Sequence, residues 1–108
     1  MYNPELLGQV FRKLNVTWDD DDTTARIEEI MESAIPDLKH RLGITDPDFD
    51  FSKPGDENTL FKNYCLYEWN HCLNEFFANY EVMISQVRSR NDVAYYRAKN
   101  EVSVDAET

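Results

Sequence analysis

The densest apolar run of the chain covers residues 56–80, DENTLFKNYCLYEWNHCLNEFFANY, and holds no glycine or proline after Gly55. Its bulky side chains recur every three or four residues, which places them on one broad side of a helix. They are Leu60, Phe61, Tyr64, Cys65, Trp69, Cys72, Leu73, Phe76, Phe77 and Tyr80. An apolar side this broad indicates a helix covered by more than one partner, so we predict a single central helix over 56–80.

Two shorter helical patterns precede this run. The first follows Asn3-Pro4-Glu5, a typical helix start with an N-cap, a proline at the first position and an acid in the first turn. The second runs from Ala25 to Leu42 and contains Pro36 without losing its apolar phase, so we expect a kink rather than a break. Gly43 after Lys39-His40-Arg41 predicts a left-handed C-cap.

Helical spacing also continues after Tyr80, through Val82, Met83, Ile84 and Val87. The central helix therefore either runs on or bends near Asn79 and restarts. A chain of 108 residues suffices for one modest core. We predict an all-α fold, a small bundle of about four helices around one long aromatic-rich central helix, with an extended C-terminal arm. Residues 1–80 would form the helical core domain and residues 81–108 a C-terminal helix or arm used for assembly contacts.

Charge is distributed unevenly around a net value of −10. Residues 1–81 carry −10, residues 82–100 carry +3 and the last eight residues carry −3. An acidic body with a basic strip can attract a second copy head to tail, although a mixed solvated surface explains the same pattern. Tyrosine beside arginine is typical of contact surfaces, and a solvated C-terminal helix is the alternative. The predicted subunit or partner interface is Arg88, Arg90, Tyr95, Tyr96 and Arg97.

Two acidic stretches resemble metal sites and are better explained otherwise. In the run Asp19–Asp22, one of the last acids or a following threonine is expected to cap the second helix. In the loop 45–55, TDPDFDFSKPG, aspartates at 46, 48 and 50 with Glu57 match part of a calcium loop, but Phe51 replaces the required glycine. Phe49 and Phe51 would instead pin this loop to the core or to a partner. We therefore predict no metal site.

Catalytic chemistry has no visible basis in the sequence. Glu68 and His71 give a single Glu-x-x-His, whereas a di-iron bundle needs two such motifs and further glutamates. Cys65 and Cys72 lie seven residues apart on the predicted helix, too far for a disulfide, and are expected to be reduced core residues. There is no phosphate loop, zinc-ligand pair, membrane span or leader. We predict a soluble protein without enzymatic activity or cofactor.

The order of these elements resembles tailed-phage head–tail connector proteins. The short Leu-Leu helix, the turn DDDDTTARIEEIMESA and the helix ending KHRLGI resemble the N-terminal half of that family. The stretch FKNYCLYEWNHCLNEFFANYEVMISQVRSRNDV resembles the second half of the versions found in phages of Gram-positive bacteria. There, an aromatic helix passes into a Glu-x-x-Ile-Ser-x-x-Arg segment, here residues 81–88. The likeness covers about residues 3 to 100 and is weakest in the loop 45–55.

The resemblance implies an all-helical adaptor of the virion neck, assembled in the bacterial host cytoplasm. Its partners would be other copies in a ring of roughly twelve, the portal protein, and the tail or next neck protein. DNA would pass through the ring without specific binding, and an acidic lining would keep it from sticking. The channel-facing candidates are Asp19, Asp20, Asp21, Asp22, Asp46, Asp48 and Asp50.

Two other functions remain open at the level of sequence. A net charge of −10 on a small helical protein also suits an acidic inhibitor that mimics DNA and binds a DNA-handling enzyme. The partial calcium template between Asp46 and Glu57 would suit a small cation-binding regulator. Ring formation favours the connector, tight binding to a DNA-handling enzyme favours the inhibitor, and calcium calorimetry tests the regulator.

Overall fold

A computed structural model describes residues 3–18 and 20–107, with side chains described as far as residue 99. Within these residues the chain is all-helical, as predicted, and compact. Five helices occur in the described ranges: α1 (Pro4–Lys13), α2 (Asp21–Leu42), α3 (Asp56–Trp69), α4 (Leu73–Asn79) and α5 (Glu81–Glu107). α3 contacts each of the other four, so the core forms around it.

The predicted chemistry of the helix ends is confirmed at α1 and at the end of α2. Asn3 accepts a hydrogen bond from the backbone N–H of Glu5 and caps α1. Gly43 is left-handed with φ +66°, and the N–H of Ile44 reaches back to the carbonyl of Lys39. This is the hydrogen-bond pattern of a Schellman turn, which uses the terminal carbonyls of the helix. Pro36 lies inside α2 without ending it.

The cap of α2 is an acid, but an earlier one than expected. Asp20 accepts a hydrogen bond of 2.7 Å from the N–H of Thr23. Asp21 and Asp22 then lie in the first turn, beside the positive end of the helix dipole. This bond to the Thr23 N–H lowers the pKa of the Asp20 carboxyl below its ordinary value, because it favours the ionised form.

The prediction of one helix over 56–80 is wrong, because the chain turns at residues 70–72 and forms α3 and α4. His71 adopts a left-handed conformation with φ +59°. The N–H of His71 bonds to the carbonyl of Glu68, and that of Cys72 bonds to the carbonyl of Tyr67. These are again the two bonds of a Schellman turn, here built on histidine instead of glycine.

The turn exists because it brings the aromatic residues of α4 back onto α3. In a continuous helix, Tyr64 and Phe76 would lie about 18 Å apart along the axis. In the fold their ring centroids are 5.5 Å apart, and Tyr67 and Phe76 are separated by 5.8 Å. Phe76 is thereby fully buried. Burying a phenylalanine stabilises the fold by roughly 2–3 kcal/mol, enough to outweigh a left-handed histidine.

The loop between α2 and α3 is pinned to the core by its phenylalanines, as predicted. Phe51 is buried and its ring lies 4.9 Å from that of Phe61 on α3, while Phe49 packs edge-on against Phe51. Asn58 closes the loop by donating to the carbonyl of Phe51 at 2.7 Å. The loop is therefore part of the folded body.

The chain bends at Tyr80 and restarts as α5, which is the second of the two alternatives read from the sequence. Tyr80 is the C-cap of α4, and α5 begins at Glu81. Val87 is buried in the core, and Met83 and Ile84 pack against it. The first turns of α5 thus contact the core, whereas all side chains from Val93 to Lys99 are exposed.

Candidate functional site

Arg88, a predicted interface residue, contacts its own chain. Its Nη1 donates to the carbonyl oxygen of His40 at 3.0 Å, in the last turn of α2. Its Nε lies 3.4 Å from a carboxylate oxygen of Asp92, one turn further along α5. A cation at this position satisfies a terminal carbonyl and complements the negative end of the helix dipole. Arg88 therefore helps to hold α5 against α2.

Arg90 makes a second connection to the body. Its two terminal nitrogens each lie 3.2 Å from a carboxylate oxygen, one from Asp56 and one from Glu57. Both acids belong to the first turn of α3. Asn91 adds a hydrogen bond of 2.8 Å to the carbonyl of Leu42. α5 is thus attached to the end of α2 through Arg88 and Asn91, and to the start of α3 through Arg90.

The other three predicted interface residues are exposed. Tyr95 and Tyr96 are 48% and 61% exposed, and Arg97 is exposed beside them. The two tyrosine rings meet edge to face with their centroids 5.8 Å apart. Tyr95 borders a cleft with Gly43, Phe49 and Ala98, whereas Tyr96 does not. All five residues are therefore exposed, but Arg88 and Arg90 form polar bonds to the body, whereas the other three form none within the described residues.

The acidic candidates form two groups in the described part of the chain. Asp20, Asp21 and Asp22 are exposed at the start of α2, and Asp19 lies outside the described residues. Asp46 and Asp48 are exposed in the loop after α2. Because α2 has 22 residues, its two ends are about 33 Å apart. The two groups therefore lie at opposite ends of one rod and do not form one patch.

Asp50 differs from the other acidic candidates because it is engaged in the loop. One carboxylate oxygen accepts hydrogen bonds from the Ser52 hydroxyl at 2.6 Å, the Ser52 N–H at 2.9 Å and the Asn3 side chain at 3.1 Å. The Ser52 hydroxyl, followed by the Ser52 N–H, lowers the pKa of this carboxyl. Asp50 joins the loop to the start of α1, which is a structural role.

A polar cleft that the sequence did not predict lies between α2 and the end of α3. Arg26 donates to the carbonyl of Trp69 at 2.7 Å and lies 3.2 Å from Nε2 of His71. Its guanidinium also lies over the Trp69 ring, 4.1 Å from the centroid. Because guanidinium only donates, the His71 contact is a hydrogen bond when Nε2 is unprotonated. Glu68 lines the same cleft. No local pattern signals it, because Arg26 and His71 are 45 residues apart.

Residues of the partial calcium-loop pattern are engaged with other partners in the fold. Asp46 accepts a hydrogen bond from the N–H of Asp48, and Glu57 faces Arg90. In the described ranges no group of three or more histidines, cysteines and acids is arranged to hold an ion.

Cys65 is buried, which raises the pKa of its thiol to about 12, and the Glu68 charge acts in the same direction. No described helix has the length and hydropathy of a membrane span.

Comparison with known proteins gives no relative from which a role can be transferred. No protein family matches the chain, and no curated protein or solved structure is significantly similar to it. The function must therefore be inferred from the surface described above and from the pattern of the sequence.

Proposed function

We propose that the chain is a structural virion protein, a head–tail connector that forms a ring beneath the portal and extends the DNA channel toward the tail. The observation that carries the proposal is the exposed set Tyr95, Tyr96 and Arg97 on α5 of an otherwise acidic chain. Exposed tyrosine and arginine are enriched at protein interfaces. The sequence resemblance to connector proteins supports the same role.

In this proposal, the core is a small bundle around α3, and the part of α5 after Asn91 acts as an arm. Arg88, Arg90 and Asn91 anchor the base of the arm to its own body. Tyr95, Tyr96 and Arg97 then reach a neighbouring subunit, the portal or the next neck protein. Residues 82–100 carry a net charge of +3 and residues 1–81 carry −10. Repeated contacts between unlike charges of this kind run head to tail and close into a ring.

The channel would be lined by acids, so that passing DNA is repelled rather than bound. The two acidic groups at the ends of α2 lie about 33 Å apart. If α2 runs along the channel axis, they line it at different heights, and if α2 lies perpendicular to the axis, they lie at different distances from it. Asp20, Asp46 and Asp50 accept hydrogen bonds within the fold, which leaves Asp21, Asp22 and Asp48 as the described candidates free to face DNA.

The decisive experiment mixes the protein with portal particles from phages of Gram-positive bacteria and images them by electron microscopy. Rings below the portal are expected for the native chain. They should be lost when Tyr95→Ser, Tyr96→Ser and Arg97→Glu are combined. The matched control is Arg12→Glu, which makes the same charge change on α1 and should keep the rings. Tight binding to a DNA-handling enzyme without any ring would instead favour the acidic inhibitor.

The reversal of Arg88 and Arg90 to glutamate is also expected to abolish assembly. Both arginines hold α5 to the body, so the reversal would act partly by loosening α5. The exposed triple variant avoids this complication. A second measurement replaces Asp21 and Asp22, or Asp46 and Asp48, by asparagine and follows genome release. Replacing the pair that faces the channel should slow genome release. Unchanged kinetics in both variants would contradict an acidic lining.

A further inference from the structure

The outer face of α5 carries apolar side chains that no other part of the described chain covers. Val87 and Asn91 face the body, whereas Val82, Val93 and Tyr96 are 69%, 49% and 61% exposed on the opposite side. Positions 82, 86, 89, 93 and 96 follow one another at steps of four and three, the spacing of a helix–helix seam. This face is therefore built like one half of a helix pair.

The first half of the seam contains a shallow, open recess. Val82, Ser85, Gln86 and Ser89 line it, with Glu81 at its rim. These four positions are i, i+3, i+4 and i+7, the arrangement that forms a hole for a side chain of a facing helix. Two of the four are serines, whose small side chains leave room for a ring from a facing helix.

The second half of the seam supplies such a ring. Tyr96 projects from the same face about ten residues after the centre of the recess, or about 15 Å along the helix. Because knob and hole lie at different heights on one rigid helix, Tyr96 cannot fill the recess of its own chain. Lys99 is exposed beyond Tyr96, and Glu81 is exposed beside the recess.

We propose that a second copy of this chain covers the face, with the two α5 helices antiparallel and Tyr96 of each copy in the recess of the other. The antiparallel direction follows from the positions of knob and hole. In a symmetric parallel pair equal heights would meet, placing tyrosine against tyrosine and leaving both recesses empty. In the antiparallel pair Ser89 lies opposite Val93, and Glu81 of one copy lies beside Lys99 of the other.

This pair is closed and two-fold, so it is a different contact from the head-to-tail ring contact. It covers Tyr96, which means that the pair must open before Tyr96 can reach a ring neighbour or the portal. The free protein would thus be stored as a dimer that is unable to polymerise. The inference concerns the free chain and stands or fails separately from the connector role.

Sedimentation of the purified chain measures the pair directly. The native protein should sediment as a dimer, and Tyr96→Ser should shift its dissociation constant upward by at least tenfold. The control is Tyr95→Ser, because Tyr95 faces the cleft beside Gly43 instead of the seam. Its effect should be smaller, since it removes only an edge-to-face contact with Tyr96 and leaves the knob in place. A monomeric native chain, or equal effects of the two substitutions, would overturn the pair while leaving the ring proposal untouched.

A charge exchange tests the direction of the helices. Glu81→Lys alone and Lys99→Glu alone should each weaken the dimer, since like charges then meet. The two substitutions in one chain should restore it, because each copy again presents opposite charges to the other. Failure of the double variant to recover dimerisation would contradict the antiparallel arrangement.

Disulfide trapping gives an independent answer. In a Cys72→Ser background, Gln86→Cys and Arg97→Cys are introduced into separate chains carrying different tags, then mixed and oxidised. The antiparallel pair predicts mainly the mixed disulfide, since positions 86 and 97 then face each other. A parallel pair would give mainly the two homodimers, because like positions then face each other. In the antiparallel pair like positions are about 15 Å apart, which is too far for a disulfide.

Discussion

The guanidinium of Arg88 donates to the carbonyl oxygen of His40 at 3.0 Å, so a residue of α5 caps the last turn of α2. The contact joins residues 48 positions apart and orients α5 relative to the body. It also lies beside Gly43, where α2 ends. Helix termination and the attachment of α5 are thus parts of one local arrangement.

Replacing Arg88 by alanine should destabilise the fold by about 1 kcal/mol, since a charge-assisted bond to a terminal carbonyl is lost but remains partly exposed to water. Arg90→Ala should cost less, roughly 0.5 kcal/mol, because the Arg90 side chain is 55% exposed against 47% for Arg88. Urea unfolding followed by circular dichroism measures both. An equal or larger loss for Arg90→Ala would contradict the capping role of Arg88.

Two glycines should respond to alanine in opposite directions. Gly43 has φ +66°, and a Cβ there would lie 3.0 Å from side-chain atoms of Arg88 and Asp92, so Gly43→Ala should destabilise the protein by about 1–2 kcal/mol. Gly8 lies within α1, where a Cβ meets only Arg12 at 3.5 Å, so Gly8→Ala should stabilise it by roughly 1 kcal/mol. Thermal melting compares the two, and shifts of the same sign would refute this assignment.

Phe51→Ala should destabilise the protein by about 3 kcal/mol, because a buried ring packed at a tilt against Phe61 is removed and a cavity remains. Phe49→Ala is the control on the same loop and should cost less, since Phe49 is only half-buried. The difference in urea midpoint between the variants measures this. If the two substitutions were equivalent, the loop would not be pinned by Phe51.

Acid should weaken the contact between the loop and α1 through Asp50. Its pKa is lowered in the fold from the ordinary 3.8, so its ionised form stabilises the native state above that pH. The contribution is lost as the pH falls through the lower native pKa. Asp50→Asn should therefore be less stable than the native chain at neutral pH, and the gap should close in strong acid. Thermal melts across this pH range measure the gap, and a gap that persists in strong acid would contradict this role of Asp50.

Caps and stripes were predictable from the sequence because their chemistry is local. Asn3 and Gly43 act on backbone groups within a few residues. Phe49 and Phe51 are bulky apolar residues in an otherwise polar loop, which indicates that the loop is pinned by them. The turn at His71 was missed because histidine is a weaker signal for a left-handed residue than glycine. Its energetic cause, the return of Phe76 onto Tyr64, is a tertiary contact.

The candidate interface was predictable in composition and not in arrangement. A basic, tyrosine-containing segment is visible in the sequence, but the partners of Arg88 and Arg90 on α2 and α3 lie 33 to 48 positions away. The contacts of Arg26 with Trp69 and His71 again join distant positions. Side chains that bridge elements depend on the packing of those elements, which the pattern of one helix does not contain.

The two tryptophans lie in unlike surroundings and can serve as separate optical reporters. Trp18 is 52% exposed and donates to the hydroxyl of Thr23, whereas the indole of Trp69 lies under the guanidinium of Arg26. A soluble quencher such as iodide should reach Trp18 first. Emission from Trp69 should instead change when the end of α3 is disturbed, so single-tryptophan variants would resolve events at α2 and α3 independently.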